Sequence, residues 1–262
     1  MAGNRPPAPG LCPSVRLGIL VVLFSLVCAA TFGAEAVFTS GEAQTALIEL
    51  FTSEGCSSCP PAEQWLADRR ADPGLWHDFV PVAWHVTYWD GLGWRDRWAQ
   101  AAFTERQQAY ADAWRSASVY TPCFVRNGVG WRPGQVAEPK RSSGVLQVRY
   151  DVGTGALEVI FRPLIAPGGA LEVHAAQLGG GMISTVKAGE NAGVTLRHEF
   201  VVLAIRHGEL GAQGGAYRAA LSFPTADPAP PRRALAVWVT LRDDLAPLQA
   251  TGGWLESSRP AN

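Results

Sequence analysis

The sequence predicts an α/β domain followed by a β-rich one, and two observations carry that expectation. Between residues 46 and 127, short apolar runs suited to buried strands alternate with stretches of helical spacing. Beyond about residue 137 the period becomes two: Leu146, Val148, Tyr150 and Val152 alternate with Gln147, Arg149 and Asp151, the pattern of a half-buried strand. At 262 residues the chain exceeds one domain of about 150. Its 47% hydrophobic and 17% charged content exclude a chain disordered throughout. The expected division is a targeting segment over 1–36, the α/β domain over 37–137 and the β-rich domain over 138–262.

The N-terminus carries Arg5 and Arg16, then LGILVVLFSLVCAA from Leu17 to Ala30, then small residues including Ala34 and Ala36. Basic, apolar and small-residue regions in that order predict a secretory signal peptide, with a core short for a membrane span. The expectation is an exported, periplasmic protein with no stable membrane span after cleavage; the alternative is a retained N-terminal membrane anchor. Val27 is too bulky for the position before a lipidated cysteine, which argues against a lipoprotein at Cys28. A net charge of -1 without a dense Lys/Arg run excludes a nucleic-acid partner.

Ala46 to Thr52 (ALIELFT) reads as a buried strand, and Cys56-Ser57-Ser58-Cys59 follows it. Pro60 and Pro61 suit the first turn of a helix that continues to about Arg70 and ends at Asp72-Pro73-Gly74. Phe79 to Val86 reads as a second strand. Asp96 is placed to cap a helix running to about Arg115, with Phe103, Gln107, Tyr110 and Trp114 as its core stripe. A third strand enters past Pro122, and Asn127-Gly128 turns a hairpin. Further strands are predicted at 157–161, 170–177, 194–205, 216–223 and 234–241, a spacing that suits an antiparallel sandwich. His174, His198 and His207 lack metal-ligand spacing and read as ordinary sheet residues. Gly189-Glu190-Asn191-Ala192-Gly193 reads as a turn that needs special backbone angles.

The chemistry centres on Cys56 and Cys59. Such a pair serves as a redox couple, half a zinc site, a haem attachment or a structural clip. Pro60 stands where haem attachment needs histidine, and a closed zinc site lacks its second pair. Export permits disulfides, and removal of the signal leaves Cys56, Cys59 and Cys123, an odd number. A strand, a Cys-x-x-Cys opening a helix, a strand, a helix and Thr121-Pro122 before a third strand is the order of a thioredoxin-like unit. A thiol at a helix N-terminus feels the partial positive charge of unpaired N–H groups, which stabilises thiolate. Cys56 is then the attacking sulfur and Cys59, one turn inside the helix, resolves the mixed disulfide. The likeness to thioredoxin-like proteins implies a cis-proline corner at Thr121-Pro122 that shapes the substrate groove.

His85, near the end of the second strand, is a candidate for proton transfer beside the thiols or a buried, hydrogen-bonded histidine. Glu49, seven residues before Cys56, either takes the proton of Cys59 or pairs with an arginine, because an unused carboxylate in an apolar strand is costly. Glu54 reads as solvated.

The stretches ELFTSEGCSSCPPAE, WHVTYWDGLGW, VYTPCFV and KAGENAGVTL together resemble the secreted bacterial family called domain of unknown function 1223, over about residues 37–250. The resemblance implies a thioredoxin-like fold and an unsettled function. Cys123 departs from it, standing where such sequences commonly carry a polar residue, and brings a third sulfur into the question.

The combined expectation is an α/β thioredoxin-like domain followed by a β-rich, antiparallel sandwich-like C-terminal domain. It exchanges disulfides with protein or small-thiol substrates through Cys56, Cys59, Thr121, Pro122, His85 and Glu49. No cofactor is predicted. Two alternatives stand: a Cu(I)-binding or accessory module held by Cys56, Cys59 and His85, and a non-catalytic docking protein with a fixed disulfide.

Overall fold

A computed structural model describes residues 1–3, 34–135, 140–224 and 230–255. The predicted signal therefore lies almost wholly outside the described residues. Among those described, no helix is long and apolar enough to cross a membrane. The described residues from 34 onward form one compact unit.

The first half contains β1 (Glu35–Thr39), β2 (Ala46–Thr52), α1 (Pro60–Asp68), β3 (Phe79–His85), α2 (Ala101–Ala113), β4 (Cys123–Arg126) and β5 (Val129–Trp131). Among the described residues of the second half every regular element is a strand: β6 (Gly144–Asp151), β7 (Ala156–Pro163), β8 (Leu171–Gly180), β9 (Met182–Thr185), β10 (Thr195–His198), β11 (Val201–Gln213), β12 (Ala216–Ser222), β13 (Arg232–Leu241) and β14 (Pro247–Trp254).

The apolar runs ALIELFT and FVPVAWH become β2 and β3, parallel and buried at every position. Their alternation presents two faces. Glu49 and Phe51 of β2, with Trp84 of β3, meet α2, where Phe103 and Tyr110 pack against them. Thr52 and its β3 neighbour His85 point the other way, toward α1. Asn127 and Gly128 take the positive φ angles of a tight hairpin turn between β4 and β5, as expected.

Twelve strands join one mixed sheet in the order β1-β6-β7-β12-β11-β3-β2-β4-β5, with β8, β13 and β14 attached through β11. The joint is β11. Val201, its first residue, pairs parallel with Ala83 of β3; its middle runs antiparallel along β8; its last residues pair with β12. β8 and β13 are walls shared by two cores. Ala176, Leu178, Ala234, Ala236 and Trp238 face the core of β2, β3 and the helices. Leu171, Val173, Leu235, Val237 and Val239 face the core beneath β6 and β7.

This corrects the expected α/β thioredoxin-like domain with a separate sandwich: two α-helices and fourteen strands are described, and one large mixed sheet carries both halves. A period-two pattern reports that a strand has an inner face without naming its neighbours. An all-apolar strand reads alike whether helices or a second sheet cover it. Two smaller departures bear on the site. The strand expected over 194–205 breaks into β10 and β11 around Phe200, which has φ +58°. Asp96 caps no helix, because Gln100 holds the N-cap position of α2 and Asp96 turns inward.

Candidate functional site

β2 ends at Thr52, and the chain makes two tight turns before α1: the Cys56 N–H bonds Ser53 O at 3.2 Å and the Cys59 N–H bonds Cys56 O at 3.2 Å. Cys59 is itself the N-cap, with Pro60 and Pro61 in the first helical positions, where their missing donors cost nothing. The expected place for Cys59, one turn inside the helix, is thus corrected to the helix start. Cys56 and Cys59 form a disulfide with Cα atoms 5.4 Å apart. Both are fully buried while Ser57 and Ser58 are exposed. The alternative Cu(I) set asks for two free thiolates, and here the sulfurs are joined to one another.

The Thr121–Pro122 peptide is cis. Trp89 ties this corner to the cysteine loop: its Nε1 donates to Thr121 Oγ1 at 2.8 Å, and its Cβ would lie 3.1 Å from a Cβ on Gly55. Cys123 is a free, buried thiol opposite Phe51 on the α2 side of the sheet. It lines a pocket of about 20 Å³ with Gln107, Trp114 and Tyr120, and neither Cys56 nor Cys59 lines that pocket. The space suits about one water molecule. Burial pushes the Cys123 thiol up, which makes it a poor nucleophile.

Glu49 also faces α2. Its Oε2 accepts Trp84 Nε1 at 2.9 Å and Arg106 Nε at 2.6 Å, and its Oε1 accepts the Tyr110 hydroxyl. The arginine pairing named as one of its two roles is therefore present, and both oxygens are occupied. Burial opposes the Arg106 charge, but Glu49 outweighs it and raises the pKa of the guanidinium.

The α1 side holds a buried polar cluster. His85 Nδ1 donates to Asp96 Oδ2 at 2.6 Å, and Asp96 also accepts the backbone N–H groups of Glu54 and Trp98. Glu63, whose N–H bonds Cys59 O, accepts Thr52 Oγ1 at 2.6 Å through one oxygen and meets His198 Nδ1 at 2.5 Å through the other. His198 Nε2 lies 3.2 Å from Glu54 Oε1, and Glu54 Oε2 accepts Trp94 Nε1 at 2.7 Å. The two imidazole rings stand 5.2 Å apart. Burial works against the imidazolium of His198, yet the bonds to Glu54 and Glu63 overcome it and lift its pKa to about 10. Burial likewise works against the carboxylates of Glu54 and Glu63, and the bonds to His198 hold both below the usual range. For Asp96 the same opposition is overcome by His85.

β9 and β10 lie outside the main sheet, and their connecting loop clasps the cysteine loop. Asn191 Nδ2 donates to Glu54 O at 2.8 Å and Cys56 O at 3.0 Å, while the Ser57 N–H donates to Glu190 Oε2 at 3.0 Å. The stretch that reads as a mere turn supplies two direct partners of the cysteine loop. Glu54, expected in solvent, is fully buried, and His198, expected to be ordinary, joins Glu54 to Glu63. Sequence reasoning passed over Glu63, Asp96, Asn191 and His198. For Glu63 a signal existed: it lies four residues after Cys59, on the same helical face as the cap.

The model of the family described as "Protein of unknown function (DUF1223)" matches residues 47–240. The chain belongs to that family. Comparison with curated proteins gives no match. Two solved structures share the fold. One is an X-ray crystal structure of a protein from Agrobacterium tumefaciens, 22% identical, with a TM-score of 0.60 over 85% of this chain and 99% of that one. The other is HBP35 of Porphyromonas gingivalis, 13% identical, with a TM-score of 0.55 over 84% of this chain and 78% of that one.

Proposed function

We propose that the protein is exported and exchanges disulfides with protein or small-thiol substrates through Cys56 and Cys59. The supporting observation is a disulfide-bonded Cys-x-x-Cys at the start of α1, joined through Trp89 to the Thr121–Pro122 corner. In the oxidised form a substrate thiolate attacks Cys56 Sγ, the Cys56–Cys59 bond breaks, and Cys59 leaves as thiolate. Its place at the N-cap puts that charge at the positive end of the helix dipole, although Pro60 and Pro61 offer no N–H and those of Ala62 and Glu63 bond Cys59 O. A second substrate thiolate then attacks the substrate sulfur of the mixed disulfide, and Cys56 leaves. The substrate becomes a disulfide, and its two electrons reside in the Cys56 and Cys59 thiols. Run backward, the same steps reduce a substrate disulfide, with Cys56 attacking and Cys59 resolving.

Because both sulfurs are buried, exchange requires the cysteine loop to open, and the Glu190–Asn191 clasp is one set of bonds that holds that loop closed. The test is a Cys59→Ser variant incubated with periplasmic extract, which is expected to accumulate mixed disulfides through Cys56. No adducts, together with wild-type protein inert in insulin reduction, overturns the reading.

The same burial favours a second reading, a disulfide that braces the helix start without turnover. The reduction potential separates the two. A value well above about -300 mV supports exchange, and one below it supports bracing.

A further inference from the structure

The buried cluster on the α1 side has donors that disulfide exchange does not use. Single ligand atoms of Glu63, His85 and His198 all lie within 4.8 Å of one another. His85 Nδ1 is committed to Asp96, and its other ring nitrogen, Nε2, is fully buried with no hydrogen-bond partner among the described residues. An unpaired polar atom in such a place is costly. Charge is also out of balance. Three carboxylates, Glu54, Glu63 and Asp96, share the cluster with two imidazoles, so one negative charge stays uncompensated even with both rings protonated. No lysine or arginine pairs with these carboxylates among the described residues.

We propose that Glu63, His85 and His198 form a binding site for one divalent transition-metal ion of the zinc and cobalt class, behind the cysteine pair. Two imidazole nitrogens and one carboxylate oxygen suit an ion of intermediate softness. The Asp96 bond fixes the tautomer of His85 and aims Nε2 as the donor, the carboxylate–histidine arrangement that commonly supports a metal-bound ring. Ligand atoms in a tetrahedral shell of about 2.1 Å radius stand roughly 3.4 Å apart. The 2.5 Å contact between His198 Nδ1 and Glu63 therefore opens by about 0.9 Å, and the widest separation of up to 4.8 Å closes by as much as about 1.4 Å. The ion takes the place of the proton between His198 and Glu63, which is released to solvent. This set excludes both cysteines, so it is available with the disulfide intact.

The test titrates the full chain, purified with its disulfide intact, with Co²⁺. The expected result is one Co²⁺ per chain, with visible bands of nitrogen and oxygen ligation, no sulfur charge-transfer band in the near ultraviolet, and displacement by Zn²⁺. Asp96→Asn is expected to weaken binding by about 10- to 100-fold and His85→Gln by more. In the wild-type protein, which needs no variant to fold, paramagnetic shifts are expected on the ring protons of His85 and His198 and not on those of His77, His174 or His207. Absence of Co²⁺ uptake, a sulfur charge-transfer band, or shifts confined to other histidines overturns the proposal. A failed Cys59→Ser trap leaves it standing, since neither sulfur is a ligand.

Discussion

His198 shows how far a single residue's environment can differ from its sequence neighbourhood. Nothing in Thr195-Leu196-Arg197-His198 marks the histidine, because its partners Glu54 and Glu63 are 144 and 135 residues away. Its pKa of about 10 in the folded chain stands against an ordinary 6.5, so between those values the folded state binds more protons than the unfolded one. The stability it contributes is fully present below pH 6.5 and is lost as pH rises toward 10. The lowered values of Glu54 and Glu63 act at the opposite end. Their contribution is present above about 4.5 and disappears as pH falls through the lowered values. Urea unfolding should therefore show stability declining from pH 6.5 to 10, with a shallower decline in His198→Gln; identical slopes would remove this account. Glu49 was easier to read, because a carboxylate inside ALIELFT demands a partner, although the sequence could not say that the partner is Arg106. Arg106→Met strands that carboxylate and should cost about 3–5 kcal/mol by chemical denaturation. Pairing it with Glu49→Leu should recover part of the loss, and no recovery would mean that the pair is not what holds the site.

Among elements, α1, β2 and β3 were legible because each has a strong local signal: a proline pair at a helix start and two runs with apolar residues at nearly every position. The β9–β10 hairpin was not. Its importance lies in one amide and one carboxylate that reach across to the cysteine loop, and local turn chemistry says nothing about what a turn leans on. Asn191→Ala leaves the carbonyls of Glu54 and Cys56 without this donor and should loosen the clasp at about 1–3 kcal/mol. The expected outcome is faster reduction of the Cys56–Cys59 disulfide by dithiothreitol, with the main sheet unchanged by circular dichroism. An unaltered reduction rate would mean that something other than this loop limits access.

At the scale of the whole molecule, β6, β7, β8, β12 and β13 fall close to predicted strands, β9 and β14 answer to none, the 194–205 strand splits in two, and the strands' partners were not legible. Ala234, Ala236 and Trp238 alternate with Leu235, Val237 and Val239, and the sequence shows both sets as apolar without showing that each belongs to a different core. Residues 37–137 expressed alone lack β11 beside β3 and the apolar cover of β8 and β13, so the fragment should give neither a cooperative unfolding transition nor dispersed amide resonances. A well-dispersed spectrum would restore an independent first domain. The place of β11 also sets a schedule for the living chain. About 140 residues separate Cys59 from Val201, so the sheet beside the cysteines cannot close until a strand far along the chain has joined it. Until then Cys56, Cys59 and Cys123 meet the surrounding thiols without cover, and correct pairing falls to the adjacency of Cys56 and Cys59 in sequence.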